Sequence, residues 1–191
     1  MSGVALPADA MSAARGVLML VDYQARLMPA IHDGSAVVRS AIVLADAARL
    51  LGVPVVGTEQ NPAGLGPNVA AIAERCDRML AKHAFDATAD GLLACLDASG
   101  PRDQVVVAGC EAHVCLLQTG LGLLRAGRRV FVVEDACGSR READKRRAMA
   151  RLAAAGATLV SVEMVLFEWV ARSDHPQFRH LLAAVKAQDA V

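Results

Sequence analysis

One pattern occurs three times in the chain and constrains the fold more than any other feature. Gly52-Val-Pro-Val-Val56, Gly127-Arg-Arg-Val-Phe131 and Gly156-Ala-Thr-Leu-Val160 each set a glycine ahead of a strand-forming run. A stretch with helical apolar spacing precedes each of them. Glycine takes the left-handed conformation that ends a helix, and branched or aromatic residues then favour a pleated strand. Helix, stop and strand recurring in that order make successive strands parallel, because each return is a crossover. Such crossovers are right-handed and lay helices against the sheet.

Along the chain the spacing predicts strands over Val17–Val21, Val53–Gly57, Arg78–Lys82, Gln104–Ala108, Arg129–Val133 and Thr158–Val162. It predicts helices over Ala36–Leu51, Asn68–Arg75, Asp90–Ser99, Val114–Ala126 and Glu142–Ala155, then two more near Met164–Ala171 and Gln177–Ala187. Residues 1–191 read as one doubly wound α/β domain, with a six-stranded parallel sheet and helices on both faces. Residues 1–15 read as a flexible tail.

Lys+Arg and Asp+Glu both number 20, so the formal net charge is zero and the basic footprint of a nucleic-acid binder is missing. The densest basic run, Arg140 to Arg147, is interrupted by Glu142 and Asp144 and reads as a solvated helix face. Cysteines stand at 76, 95, 110, 115 and 137, an odd number with no CxxC pair, which fits neither a disulfide framework nor a zinc site. Reduced thiols in a cytoplasmic protein follow. The N-terminus lacks the pattern of a secretory leader, and no apolar run is long enough to span a membrane.

Chemistry concentrates where strands end. In open α/β sheets ligands bind at the carboxyl edge. Val105-Val-Val-Ala-Gly-Cys-Glu-Ala-His-Val-Cys115 reads as a buried strand, a turn and the first turn of a helix. Backbone N–H groups and the helix dipole there would make a thiolate accessible near neutral pH. Asp22 and Lys82 follow neighbouring strands. A thiol needs a base to become a nucleophile and a cation to balance the charge, and Asp22 and Lys82 supply both. Taken singly, Asp22 could cap a turn, Lys82 could be a surface lysine and Cys115 could be inert; their joint placement favours catalysis. Gln24, Leu27, Gln60, Asn61 and Phe85 lie beside these groups and are candidates for lining a substrate pocket. His113 is two residues from Cys115 but on a turn that aims them apart. No GxSxG elbow occurs, and Ser139 has no base identifiable in the sequence, so a serine hydrolase is disfavoured.

These residues resemble the isochorismatase-like cysteine hydrolase superfamily. The matching segments are Leu20-Val-Asp22-Tyr-Gln24, Ala81-Lys82, Ala108-Gly-Cys-Glu-Ala-His-Val-Cys115 and Val130-Phe-Val-Val-Glu-Asp135, within a likeness from Val17 to Lys186. Glu59-Gln-Asn-Pro62, Asp135-Ala-Cys-Gly-Ser-Arg140 and His175-Pro-Gln-Phe178 are most similar to the isochorismatase domain-containing branch. The resemblance implies Cys115 as nucleophile, Asp22 as general base and acid, and Lys82 as the ionic partner of Asp22. It also implies a cis peptide between Cys110 and Glu111, with the Glu111 and Cys115 N–H groups as the oxyanion hole.

The departures matter as well. Nicotinamidases of the superfamily carry a metal site with histidines near the second strand, whereas this chain has Glu59-Gln-Asn61 there. No metal and no cofactor are therefore expected. The superfamily's siderophore isochorismatases cleave a vinyl ether without a cysteine at this position, so Cys115 favours hydrolysis of a small amide, ureide or related carbonyl substrate through a thioester. Three alternatives remain: a silent binding protein, a redox sensor pairing Cys110 with Cys115, and vinyl ether cleavage. The apolar stripe Met164-Val-Leu-Phe-Glu-Trp169 points to a homo-oligomer, a dimer or larger, as the resemblance also does.

Overall fold

A computed structural model describes residues 10–188. Its six strands are β1 Gly16–Val21, β2 Val55–Gln60, β3 Arg78–Lys82, β4 Gln104–Gly109, β5 Arg129–Val133 and β6 Thr158–Val160. They form one all-parallel sheet in the order β3-β2-β1-β4-β5-β6. The strand order reverses between β1 and β4, so the sheet is doubly wound and its switch point lies at that seam. β1 and β4 are buried along their whole lengths, which explains their continuous apolar runs.

The helices are α1 Gly34–Leu50, α2 Pro62–Leu65, α3 Ala70–Ala73, α4 Leu92–Asp97, α5 Leu117–Arg125, α6 Glu142–Ala154, α7 Val162–Val170 and α8 Phe178–Gln188. α1 buries Val37, Ala41, Leu44, Ala45 and Ala48, a stripe at helical spacing that faces the sheet. It packs against α3, α7 and α8, while α5 packs against α6 in a separate layer. A Cβ at Gly120 would come 2.8 Å from Leu152 Cδ2, so this glycine permits the close α5–α6 approach.

Among the boundaries that differ from the sequence expectation, three change the reading. β2 runs on through Thr58, Glu59 and Gln60, because β3 pairs with it as far as Gln60 opposite Lys82. The helix expected from Val114 begins as a π-helical turn over Ala112–Leu116, and α5 proper starts at Leu117. Of the flexible tail read over residues 1–15, residues 1–9 lie outside the described residues and 10–15 are packed. Met11 is fully buried; its N–H donates to Glu168 Oε2 at 2.6 Å. The Gln104 side chain accepts from the Ser12 N–H and donates to the Ala10 carbonyl, both at 2.8 Å.

At the seam, β4 ends on Gly109, whose φ of +150° is open to glycine alone. A Cβ there would stand 2.3 Å from the Val21 carbonyl oxygen. That same carbonyl accepts the Cys110 N–H at 2.9 Å.

Candidate active site

Register builds the site before any side chain is considered. Val21 lies opposite Thr58 on one side and Gly109 on the other, and Gln60 lies opposite Lys82. The residues that follow β1 and β4 therefore emerge together, beside the ends of β2 and β3. Asp22 turns out of β1 with φ +53°, a left-handed conformation that a short polar side chain tolerates. Thr58 and Gln60, two apart on one strand, face the same side.

Five side chains meet in the interior. Asp22 and Lys82 form an ion pair at 2.7 Å between Oδ2 and Nζ, with both side chains fully buried. Asp22 Oδ1 accepts the Thr58 hydroxyl at 2.7 Å. Lys82 Nζ donates again to Gln60 Oε1 at 2.7 Å, and the Cys115 thiol reaches that oxygen at 3.7 Å. Cys115 is 6% exposed. Burial pushes its thiol up to about 12; the Asp22 charge pushes the same way, and Lys82 pulls against both. The thiolate expected near neutral pH is thus corrected. Burial and the Asp22 charge oppose ionisation, and the Lys82 charge is already committed to Asp22.

The loop from β4 to Cys115 runs through a cis Cys110–Glu111 peptide bond. The Glu111 side chain turns to Arg140, accepting its backbone N–H at 3.2 Å and its Nε–H at 3.0 Å. Among the described residues no hydrogen bond engages the Glu111 backbone N–H. Cys110 is fully buried, and burial raises its thiol pKa strongly.

The five residues expected to line a pocket have different places. Gln24 is spent on backbone. It is fully buried, with Nε2 donating to the carbonyls of Gln60 (3.0 Å) and Gly66 (2.6 Å) and Oε1 accepting the Gln60 N–H (2.9 Å). It clamps the loop after β2 to the end of β1. Gln60 belongs to the buried cluster rather than to a lining. Leu27 is half-buried at the start of a 3-10 turn, and Asn61 is exposed with φ +39°, its N–H held by the Lys82 carbonyl. Phe85 is 49% exposed. Its carbonyl accepts from Thr119 Oγ1 at 3.1 Å, one turn beyond Cys115. His113 meets Ser139, with Nδ1 3.0 Å from Oγ, so Ser139 does have an imidazole within reach; the hydroxyl is buried.

Sequence reading missed Thr58, the second support of Asp22, and Asn68, which donates to the Thr58 carbonyl at 3.0 Å. Two polar residues at strand spacing, Thr58 and Gln60, were the available signal. No group of three or more His, Cys, Asp and Glu side chains is gathered for a metal among the described residues. Nor is any helix there long and apolar enough to cross a membrane.

A doubly wound α/β domain with a buried aspartate, lysine and cysteine at its switch point defines a class of protein. The isochorismatase domain model matches residues 16–164, and the chain belongs to that family. Human isochorismatase domain-containing protein 2 is 38% identical over 170 residues, covering 89% of this chain and 82% of the relative. A solved Caenorhabditis elegans structure, described as MAR1 ribonuclease, superposes with TM-score 0.87 at 31% identity over 93% of this chain and 92% of that one. The Escherichia coli YcaC product, described as an octameric hydrolase of unknown specificity, gives 0.82 at 24% identity over 96% and 99%.

Proposed function

We propose that this chain is a metal-independent cysteine hydrolase acting on a small amide, ureide or related carbonyl compound. The observation that supports it most is the buried contact set in which Cys115 and Lys82 share Gln60 Oε1 while Lys82 pairs with Asp22. Because the resting sulfur is a thiol, attack and proton loss go together. The S–H proton passes to Asp22 as sulfur bonds to the carbonyl carbon and the C=O electron pair moves to oxygen. The Glu111 and Cys115 N–H groups receive that oxyanion. Collapse reforms the carbonyl and breaks the C–N bond, and the leaving nitrogen takes the proton from Asp22. Water then attacks the thioester, giving one proton to Asp22, which returns it to the departing sulfur. The net reaction adds water across the C–N bond. Lys82 keeps Asp22 in place throughout.

A ribonuclease reading, raised by the Caenorhabditis elegans neighbour's description, draws no support from a formal net charge of zero. The partner is a small molecule. Self-association fits the octameric description of the Escherichia coli neighbour and the exposed Met164 and Phe167, and reduced thiols fit a cytoplasmic location.

The test is a panel of small amides and ureides, quenched in acid and read by peptide mass mapping. At least one is expected to leave an acyl mass on Cys115 and to lose turnover in Cys115→Ala and Asp22→Asn. Amide or ureide hydrolysis surviving in Cys115→Ala would overturn the thioester route.

A further inference from the structure

We propose that Gln60 is the positioning residue of the site: its side-chain oxygen holds the Cys115 S–H and one Lys82 ammonium hydrogen together, keeping the sulfur a thiol until Asp22 takes the proton. This rests on the reading of Cys115 as nucleophile.

The amide has one orientation. Gln60 Nε2 donates to the His83 carbonyl at 2.6 Å, so Oε1 faces Lys82 and the sulfur. Turning the amide over would set its NH2 against the ammonium and its oxygen against a carbonyl. The backbone on either side cannot drift, since Gln24 holds both the N–H and the carbonyl of Gln60. Gln60 is 8% exposed, so water does not substitute freely for these contacts.

An amide oxygen accepts a hydrogen bond but is not basic enough to accept the proton. It therefore acts on the thiol in two ways that add. It bonds the neutral form directly, and it takes up one Lys82 hydrogen, which limits how far that ammonium favours the thiolate. Lys82 is left to serve Asp22, the group that can take the proton. The same oxygen fixes the side-chain rotation of Cys115, so the sulfur waits in one place.

The experiment follows the rate of Cys115 alkylation by iodoacetamide against pH, resolved by peptide mass mapping, in wild type, Gln60→Leu and Gln60→Glu. Gln60→Leu removes the oxygen at similar volume. Its Cys115 is expected to react about tenfold faster or more at mildly alkaline pH, the equivalent of one unit in pKa, while turnover on any hydrolysed substrate falls. Gln60→Glu keeps the Lys82 contact but sets a negative charge beside the sulfur, so its Cys115 is expected to react more slowly than wild type. The half-buried thiols Cys76 and Cys95, remote from Gln60 in function, serve as internal controls and are expected to keep their rates. A purely structural role would not move the Cys115 profile in opposite directions in the two variants. Unchanged Cys115 profiles in folded variants would overturn the proposal, and Gln60→Glu alone decides it if Gln60→Leu does not fold. Opposite shifts with no hydrolysis across the panel would sink the hydrolase reading and leave the positioning of the thiol standing.

Discussion

Lys82 Nζ sits 2.7 Å from Asp22 Oδ2, and neither side chain has any exposed surface. A charge pair so placed is held in position by its surroundings more than it stabilises them. Desolvation of two ions offsets most of their attraction, whereas removal of one partner strands the other.

Lys82→Met is therefore expected to cost about 3–5 kcal/mol, with Asp22 left uncompensated. The double variant Asp22→Asn/Lys82→Met is expected to recover much of that stability while remaining inactive. Urea denaturation of the two proteins checks this. A double variant no more stable than Lys82→Met would contradict the assignment of the cost to a stranded charge.

Alkaline pH should destabilise the fold through its buried thiols. Burial pushes Cys76, Cys115 and Cys137 up to about 12 from an ordinary value of 9.0. A folded-state value above the unfolded one means that the folded chain keeps protons the unfolded chain has lost. The contribution is complete below pH 9.0 and disappears as pH climbs towards about 12. Within that window each thiol removes about 1.4 kcal/mol per pH unit. Denaturation midpoints across the window should fall steeply, and less steeply in Cys137→Ala. Equal slopes in the two proteins would count against this account.

Thr119 ties the loop bearing Phe85 to α5. Its Oγ1 accepts the Ala87 N–H at 3.0 Å and donates to the Phe85 carbonyl at 3.1 Å. Thr119→Val preserves the shape and leaves two backbone groups unpaired, at a cost of about 1–3 kcal/mol. Amide hydrogen exchange at Ala87 is expected to accelerate while exchange in β1 and β4 stays as it was. Unaltered protection at Ala87 would show that the hydroxyl is dispensable.

Met11→Ala separates a packed segment from a tail. A fully buried methionine truncated to alanine costs about 2–5 kcal/mol, whereas a change in an unpacked tail stays within about 0.5. Equilibrium unfolding of the variant decides between these ranges.

The parallel sheet was legible because its signal is local: each glycine stop and branched run lies within a few residues. The acid, lysine and thiol were legible because they follow strand ends, where the doubly wound topology brings side chains together. What escaped reading depended on distant partners. Met11 sits among small residues, and its burial is enforced by Glu168 and Gln104, far along the chain. The polar end of β2 resembles a loop until β3 pairs with it. Gln24 is spent on neighbouring backbone, a role that sequence cannot tell from facing a ligand. The Cys115 thiol was misjudged for a related reason, since a helix terminus is visible in sequence and the depth of burial is not.

Gly109 carries a consequence beyond its own turn. With the Val21 carbonyl 2.3 Å from where a Cβ would stand, even alanine would wedge the two central strands apart at the level of the acid and the thiol. Drift at this position would separate Asp22 from Cys115 whatever the rim loops become. A saturation library should find position 109 among the least permissive in the chain, intolerant of the smallest side chain. The spacing between Asp22 and Cys115 is thus locked by backbone geometry at the seam, independently of the loops around it.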